Sequence, residues 1–194
     1  MTYSKELKER YSKSLVFSLR DISIYFKSKG LSKKYSYLLI SNLLKEGELK
    51  RITKGKYTYK EEIMVSGFAF SPFYYGLQEA LSFHNLWEQE TNPVIITSKN
   101  IKPGLREIFN SNVYLRRINK KYFFGYDFIK YYDFEIPVSD IEKTLIDFVY
   151  YNEYLSKEVI KEIKKKLNKK KLKEYLEKYN NSIKEKVFKL IWKK

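Results

Sequence analysis

Lys33, Lys34, Tyr37, Ser41 and Lys45 recur at intervals of one, three and four, the spacing that collects side chains on one face of an α-helix. Arg51, Lys54 and Lys56 follow in a short segment interrupted by Gly55, while Ser32 precedes the first group and Tyr35 lies within it. Ammonium and guanidinium groups neutralise phosphate oxygens, and hydroxyls hydrogen-bond them, so this set points to recognition of a polyanion and not to bond making. The plainer alternative is a solvated helix face and an ordinary charged hairpin. No Arg or Asn in the set is aimed unambiguously at a base edge, so no sequence preference follows from it.

A second constellation, Asp140, Glu142, Lys143 and Asp147, has the residue types of a Mg²⁺-dependent nuclease. Asp140 and Glu142 stand two apart at a helix start and should face different ways. A capping Asp140 with a charge-balanced first turn is the preferred reading. His84 is the single histidine, which leaves no partner for a histidine-based metal site or a Ser-His-Asp arrangement, and it reads as a polar residue of a helix. There is no P-loop, dinucleotide fingerprint or zinc spacing. No catalytic, metal or cofactor-binding residue is assigned, and the protein is not expected to be an enzyme.

The elements that must position the basic residues are legible. Residues 2–15 have a helical stripe of Leu7, Tyr11 and Leu15, and residues 20–29 form a second helix carrying Ile22, Ile24, Tyr25 and Phe26. The pattern breaks at Gly30, Ser32 is placed to cap a third helix over 33–46, and that helix stops at Gly47. Ser36, Leu39, Ile40 and Leu43, with Leu44 at the edge, form its buried arc, so the basic set points outward. Runs at 48–53 and 56–60 read as a hairpin turned at Lys54-Gly55. Leu49 and Ile52 break strict alternation, which calls for a bulge or a late strand start. The whole reads as a winged helix-turn-helix domain over residues 1–62, with the third helix for a major groove and the hairpin for phosphates beside it.

A domain boundary is placed near residues 61–66, and the remainder, 63–194, as a mixed α/β domain ending in helices; the fold class is α+β. A helix is expected over 73–86 with Pro72 at its first position. Strands are expected at 93–98, 112–117, 121–126 and 134–138, then a helix capped by Ser139 or Asp140 and running to Tyr150. From Lys157 onward the pattern is helical, with stripes at Val159, Ile160, Ile163 and Leu167, at Leu172, Tyr175, Leu176 and Tyr179, and at Ile183, Val187, Leu190 and Ile191.

Charge is distributed unevenly. The 194 residues carry 39 Lys and Arg against 23 Asp and Glu, a net +16. Residues 1–62 hold +8, residues 63–153 hold −2 and residues 154–194 hold +10. Two basic ends around a near-neutral middle suit nucleic acid; the alternative is lysine that keeps the surface solvated. Lysines 164–166 and 169–171 are candidates for a second phosphate-binding surface. Nineteen Tyr and thirteen Phe are mostly core material. The lack of cysteine fits a reducing cytoplasm. The opening MTYSKELKERYSK has no apolar leader, and no apolar run approaches a membrane span, so a cytoplasmic protein without membrane contact is expected. High Lys, Ile and Tyr with few Gly and Pro suggests an AT-rich genome.

Three segments together resemble the AbiEi family, the antitoxin component of type IV toxin-antitoxin systems. LLKEGELKRITKGKYTY is similar to the family's "L..L...G.L.ri.rG.Y", SPFYYGLQEALSFHNLWEQ at residues 71–89 to the helix opening its second domain, and VSDIEKTLIDFVYY at 138–151 to "v.d.ErTllD". The closing YLEKYNNSIKEKVFKLI also resembles the family's last element, with Val187-Phe188 where Leu-Gly is usual, and Lys143 stands where Arg is commoner. The resemblance implies an N-terminal DNA-binding domain that represses its own operon, on promoter DNA with inverted repeats. It also implies a C-terminal domain that counteracts a nucleotidyltransferase-like toxin without need of a stable complex. Rival readings are a winged-helix regulator with a ligand- or partner-binding second domain and, more distantly, a metal-dependent nucleic-acid-processing enzyme using the Asp140 segment.

Overall fold

The computed structural model describes residues 3–192, and the expected helical positions Thr2, Lys193 and Lys194 lie outside them. The chain divides into two compact units, Met1–Ser71 with Glu107–Asn112, and Pro72–Arg106 with Val113–Lys194. Both helices and sheets build it, a mixed α+β architecture.

In the first unit α1 (Tyr3–Tyr11), β1 (Phe17–Ser18), α2 (Leu19–Ser28) and α3 (Lys33–Lys45) precede a hairpin of β2 (Lys50–Thr53) and β3 (Lys56–Thr58). A capping box starts α2: Ser18 Oγ accepts from the Asp21 amide while Asp21 accepts from the Ser18 amide. Ser32 caps α3 by accepting from the Tyr35 amide at 3.2 Å. One face of α3 buries Ser36, Ile40 and Leu43. Ile40 and Leu43 pack with Leu7, Phe17, Ile22, Phe26, Leu49 and Tyr57; each fully buried aliphatic or aromatic side chain is worth about 1.5–3 kcal/mol. Of the apolar residues expected in α2, Ile22 and Phe26 enter this core, but Ile24 remains 59% exposed because it lies on the opposite side of the helix. The strands order as β1-β3-β2. The broken alternation of Leu49 and Ile52 has both expected causes: β2 starts only at Lys50, and its register with β3 shifts between Arg51 and Thr53. Gly55 turns the hairpin at φ +74. A 3₁₀ segment, Ile63–Phe70, follows.

Apart from residues 107–112, which are counted with the first unit, the second unit is built on a mixed six-stranded sheet, ordered β6-β7-β5-β4-β9-β8, from β4 (Phe73–Tyr75), β5 (Val94–Thr97), β6 (Gly104–Ile108), β7 (Ser111–Arg117), β8 (Tyr126–Tyr131) and β9 (Phe134–Ser139). Strand β4 runs antiparallel to β5 and parallel to β9. Helices α4 (Leu77–Phe83), α5 (Ile141–Tyr150), α6 (Lys157–Lys166), α7 (Lys169–Leu176) and α8 (Asn181–Trp192) complete it. Strands β5, β7 and β9 and helix α5 fall where the sequence puts them. The terminal stripes bury Ile163, Leu167, Leu172, Leu176, Tyr179, Val187 and Ile191 in one core with α5. None of the described helices is long and apolar enough to cross a membrane.

Two expected elements are corrected. Residues 73–75 are a strand, and the helix begins only after Gly76; all three aromatics are buried between neighbouring strands, a packing that overrides the helical periodicity. Residues 121–126 are not a strand: Lys120–Tyr122 is a 3₁₀ turn, and the chain swings at Gly125, φ +73, into β8. A Cβ on Gly125 would stand 2.8 Å from the Tyr175 ring and 3.0 Å from Lys143 Cβ, whereas one on Gly55 would meet nothing within 4 Å. Gly55→Ala should therefore lose only the left-handed backbone term, about 1–2 kcal/mol, and Gly125→Ala should lose more. Urea titration of the two variants checks this, and equal losses would contradict it.

Candidate nucleic-acid interface

Every member of the basic set on α3 is on the surface. Ser32, Lys33, Lys34, Tyr37, Ser41 and Lys45 are exposed, as are Arg51 and Lys54 on the hairpin, with Lys56 half-buried. Tyr35 is different. Its ring packs edge-on against Tyr3 and Phe26, with centroids 5.6 and 5.9 Å away, so it belongs to the rim of the core. Sequence reading also passed over two residues of the exposed arc, Leu38 and Asn42, neither of which is a cation or a hydroxyl of the kind chosen for phosphate contact. Arg20 and Lys27 were missed too. They line a cavity of about 380 Å³ with Ser23, Ile24, Lys33 and Tyr37, and no carboxylate contributes to that lining.

Several carboxylates of this unit are spent elsewhere, while Glu9 and Glu46, the latter capping the C-terminal end of α3, are exposed. Glu6 pairs with Lys29 at 3.1 Å, Glu48 with Lys8 at 3.7 Å and Glu61 with Lys50. Asp21 is held by Ser18, whose hydrogen bond lowers the Asp21 pKa. No acidic residue occurs within α3. Lys33, Lys34, Lys45, Arg51 and Lys54 make no ion pair among the described residues. Lys33 and Lys34 moreover occupy the first turn of α3, where the helix dipole disfavours cations. Such an arrangement is unfavourable alone and relieved by an anion.

The Asp140 segment is a structural network. Asp140 caps α5, its Oδ1 accepting from the Lys143 amide at 2.7 Å. Its Oδ2 accepts from the Tyr175 hydroxyl at 2.8 Å and faces Lys171 at 2.9 Å. Contrary to the expected divergence, Glu142 reaches the same ammonium at 3.6 Å, because α7 brings Lys171 between the two carboxylates. Glu142 also accepts from the Asn168 amide at 2.7 Å, next to the Asn168 cap of α7. Partial burial works to lower the Lys171 pKa, but the Asp140 hydrogen bond and the two negative charges outweigh it and raise it.

Lys143 and Asp147 lie entirely inside the protein, paired one turn apart on α5. The Tyr74 hydroxyl accepts from Lys143 at 2.9 Å and donates to Asp147 at 2.8 Å. Burial pushes the Lys143 pKa down and the Asp147 pKa up, each shift opposed by the partner's charge. Among the described residues no group of three or more His, Asp or Glu is placed to hold a metal ion. His84 ends α4 with Nε2 2.7 Å from the Ser139 carbonyl.

The lysine clusters at 164–166 and 169–171 are partly committed as well. Lys165 pairs with Glu162 at 2.6 Å, Lys166 donates to the His84 carbonyl at 2.7 Å, and Lys171 is taken by Asp140 and Glu142. Neither a protein-family model nor a curated protein matches this chain.

Removing one partner of the buried pair strands the other charge. Lys143→Met should cost about 3–5 kcal/mol, and Lys143→Met with Asp147→Leu should recover most of that loss. Chemical denaturation of both variants checks it; a double variant no more stable than the single one would contradict the pairing.

Proposed function

We propose that the protein is a DNA-binding transcriptional autorepressor and the antitoxin of a type IV toxin-antitoxin system, counteracting a nucleotidyltransferase-like toxin, in keeping with its resemblance to the AbiEi family. The observation that carries the DNA-binding half is the exposed face of α3, which bears no acidic residue and whose lysines lack carboxylate partners among the described residues, while Glu6, Glu48 and Glu61 pair with cations elsewhere. The element order and the β1-β3-β2 sheet support reading this unit as a winged helix-turn-helix. On that reading α3 enters a major groove, and Arg51, Lys54 and Lys56 grip phosphates from the hairpin. The antitoxin half rests on the order of the resembling segments along the chain. The second unit then carries neutralisation without catalysis, a role supported by carboxylates engaged in capping and ion pairing instead of being left free.

One observation favours the rival of a ligand-responsive regulator. A cavity of about 320 Å³ in the second unit is lined by Leu77, Trp87, Asn92, Tyr114, Arg116 and Glu153, a mixture of apolar walls and polar groups typical of small-molecule sites.

Two measurements separate these readings. Replacing Lys33, Lys34 and Lys45 by Ala should weaken binding to the DNA upstream of the protein's own gene and flatten the salt dependence by about one unit of slope per lysine, with the circular dichroism spectrum unchanged. Unaltered affinity would remove α3 from the interface. Co-expression with an adjacent nucleotidyltransferase gene should restore growth that the gene alone suppresses, and continued arrest would defeat the antitoxin assignment.

A further inference from the structure

Resting on the reading of α3 as a groove-binding helix, we propose that Leu38 and Asn42 are its sequence-reading residues and that together they select A·T pairs. Lys34, Leu38, Asn42 and Lys45 follow one another at intervals of four, four and three along the exposed face of α3. The two lysines are eleven positions apart, about 16 Å along the axis at 1.5 Å per residue, a span comparable to a major groove about 12 Å wide. They are placed to reach the phosphates bordering the groove, while the middle of the stripe faces its floor.

That middle is uncharged. Tyr37 and Leu38 are 50% and 59% exposed, and Ser41 and Asn42 are exposed beside them. A face kept merely for solubility has no need to gather its neutral side chains at the centre and its lysines at the ends. A groove-reading face does, because base edges offer hydrogen-bonding atoms and methyl groups, whereas charge is needed at the phosphates. The Asn42 side chain makes no hydrogen bond among the described residues, although its backbone carbonyl accepts from the Glu46 amide at 2.9 Å. Its free amide offers one donor and one acceptor in a plane, the complement of N7 and N6 of adenine. Lysine has donors alone, and α3 contains no arginine to read guanine with a bidentate fork. Leu38, four residues back on the same stripe, offers an aliphatic surface for the C5 methyl of thymine.

The test uses the full-length protein and its own upstream DNA in fluorescence anisotropy titrations. Replacing thymine by deoxyuridine removes only the methyl groups, and replacing adenine by 7-deazaadenine removes only the N7 acceptors. The wild type should lose about tenfold in affinity on 7-deazaadenine DNA and a smaller but measurable factor on deoxyuridine DNA. Asn42→Ala should abolish the first difference and Leu38→Ala the second, while Lys34→Ala weakens binding to all three DNAs alike. A wild type that binds all three DNAs equally tightly, or variants that keep its discrimination, would overturn the assignment of Leu38 and Asn42 and leave DNA binding standing. Failure to bind any of the three would overturn the reading of α3 itself.

Discussion

A charged side chain in a folded protein must either be solvated or meet an opposite charge, and this chain has too few carboxylates for its cations: 23 against 39. Where the scarce acids go therefore decides what the surface can do. In the first unit Glu6, Glu48 and Glu61 pair with lysines of the end of α2, of α1 and of the hairpin, respectively. In the second unit Asp140, Glu142 and Asp147 turn inward and take up Lys171 and Lys143. The exposed face of α3 receives none. Its positive potential is thus a consequence of allocation as much as of lysine number.

The elements of the first unit were legible because short-range chemistry specifies them. Ser32 and Gly47 bound α3, Ser36, Ile40 and Leu43 fix its buried side, and the outward direction of Lys33, Lys34, Tyr37, Ser41 and Lys45 follows. The strand at Phe73–Tyr75 was not legible in the same way. Its partners, β5 and β9, lie about 20 and 60 positions further along the chain, and its place depends on a Tyr74 hydroxyl meeting Lys143 and Asp147. Strand β8 was hidden for a related reason. Its alternation begins only where Gly125 turns the chain, and the aromatic run preceding it invited an earlier start.

The charged residues of the Asp140 segment illustrate how residue type alone misleads. Two carboxylates, a lysine and an aspartate within eight positions have the chemistry of a metal-dependent site. Burial changes their meaning. A pair held at zero exposure, with a tyrosine bridging it, has no room for a substrate and a large penalty for losing either charge. Such a pair ties α5 to β4, since the Tyr74 hydroxyl hydrogen-bonds both of its members.

The same reasoning separates the two basic ends of the chain, which look alike as totals. The C-terminal part has the larger excess, +10 against +8. Yet Lys165, Lys166 and Lys171 each meet an acceptor or a carboxylate, and the aliphatic stripes between them are buried in the core of the second unit. On α3 the cations make no ion pair among the described residues, Lys33 and Lys34 sit where the helix dipole opposes them, and with Lys45 at the other end they bracket a neutral centre that includes an exposed leucine. Net charge attracts a polyanion without choosing among its sequences. On the proposed reading of α3, lysines at the ends with a free amide and an aliphatic side chain between them would supply the choice, and for that reason the smaller excess is the more informative of the two.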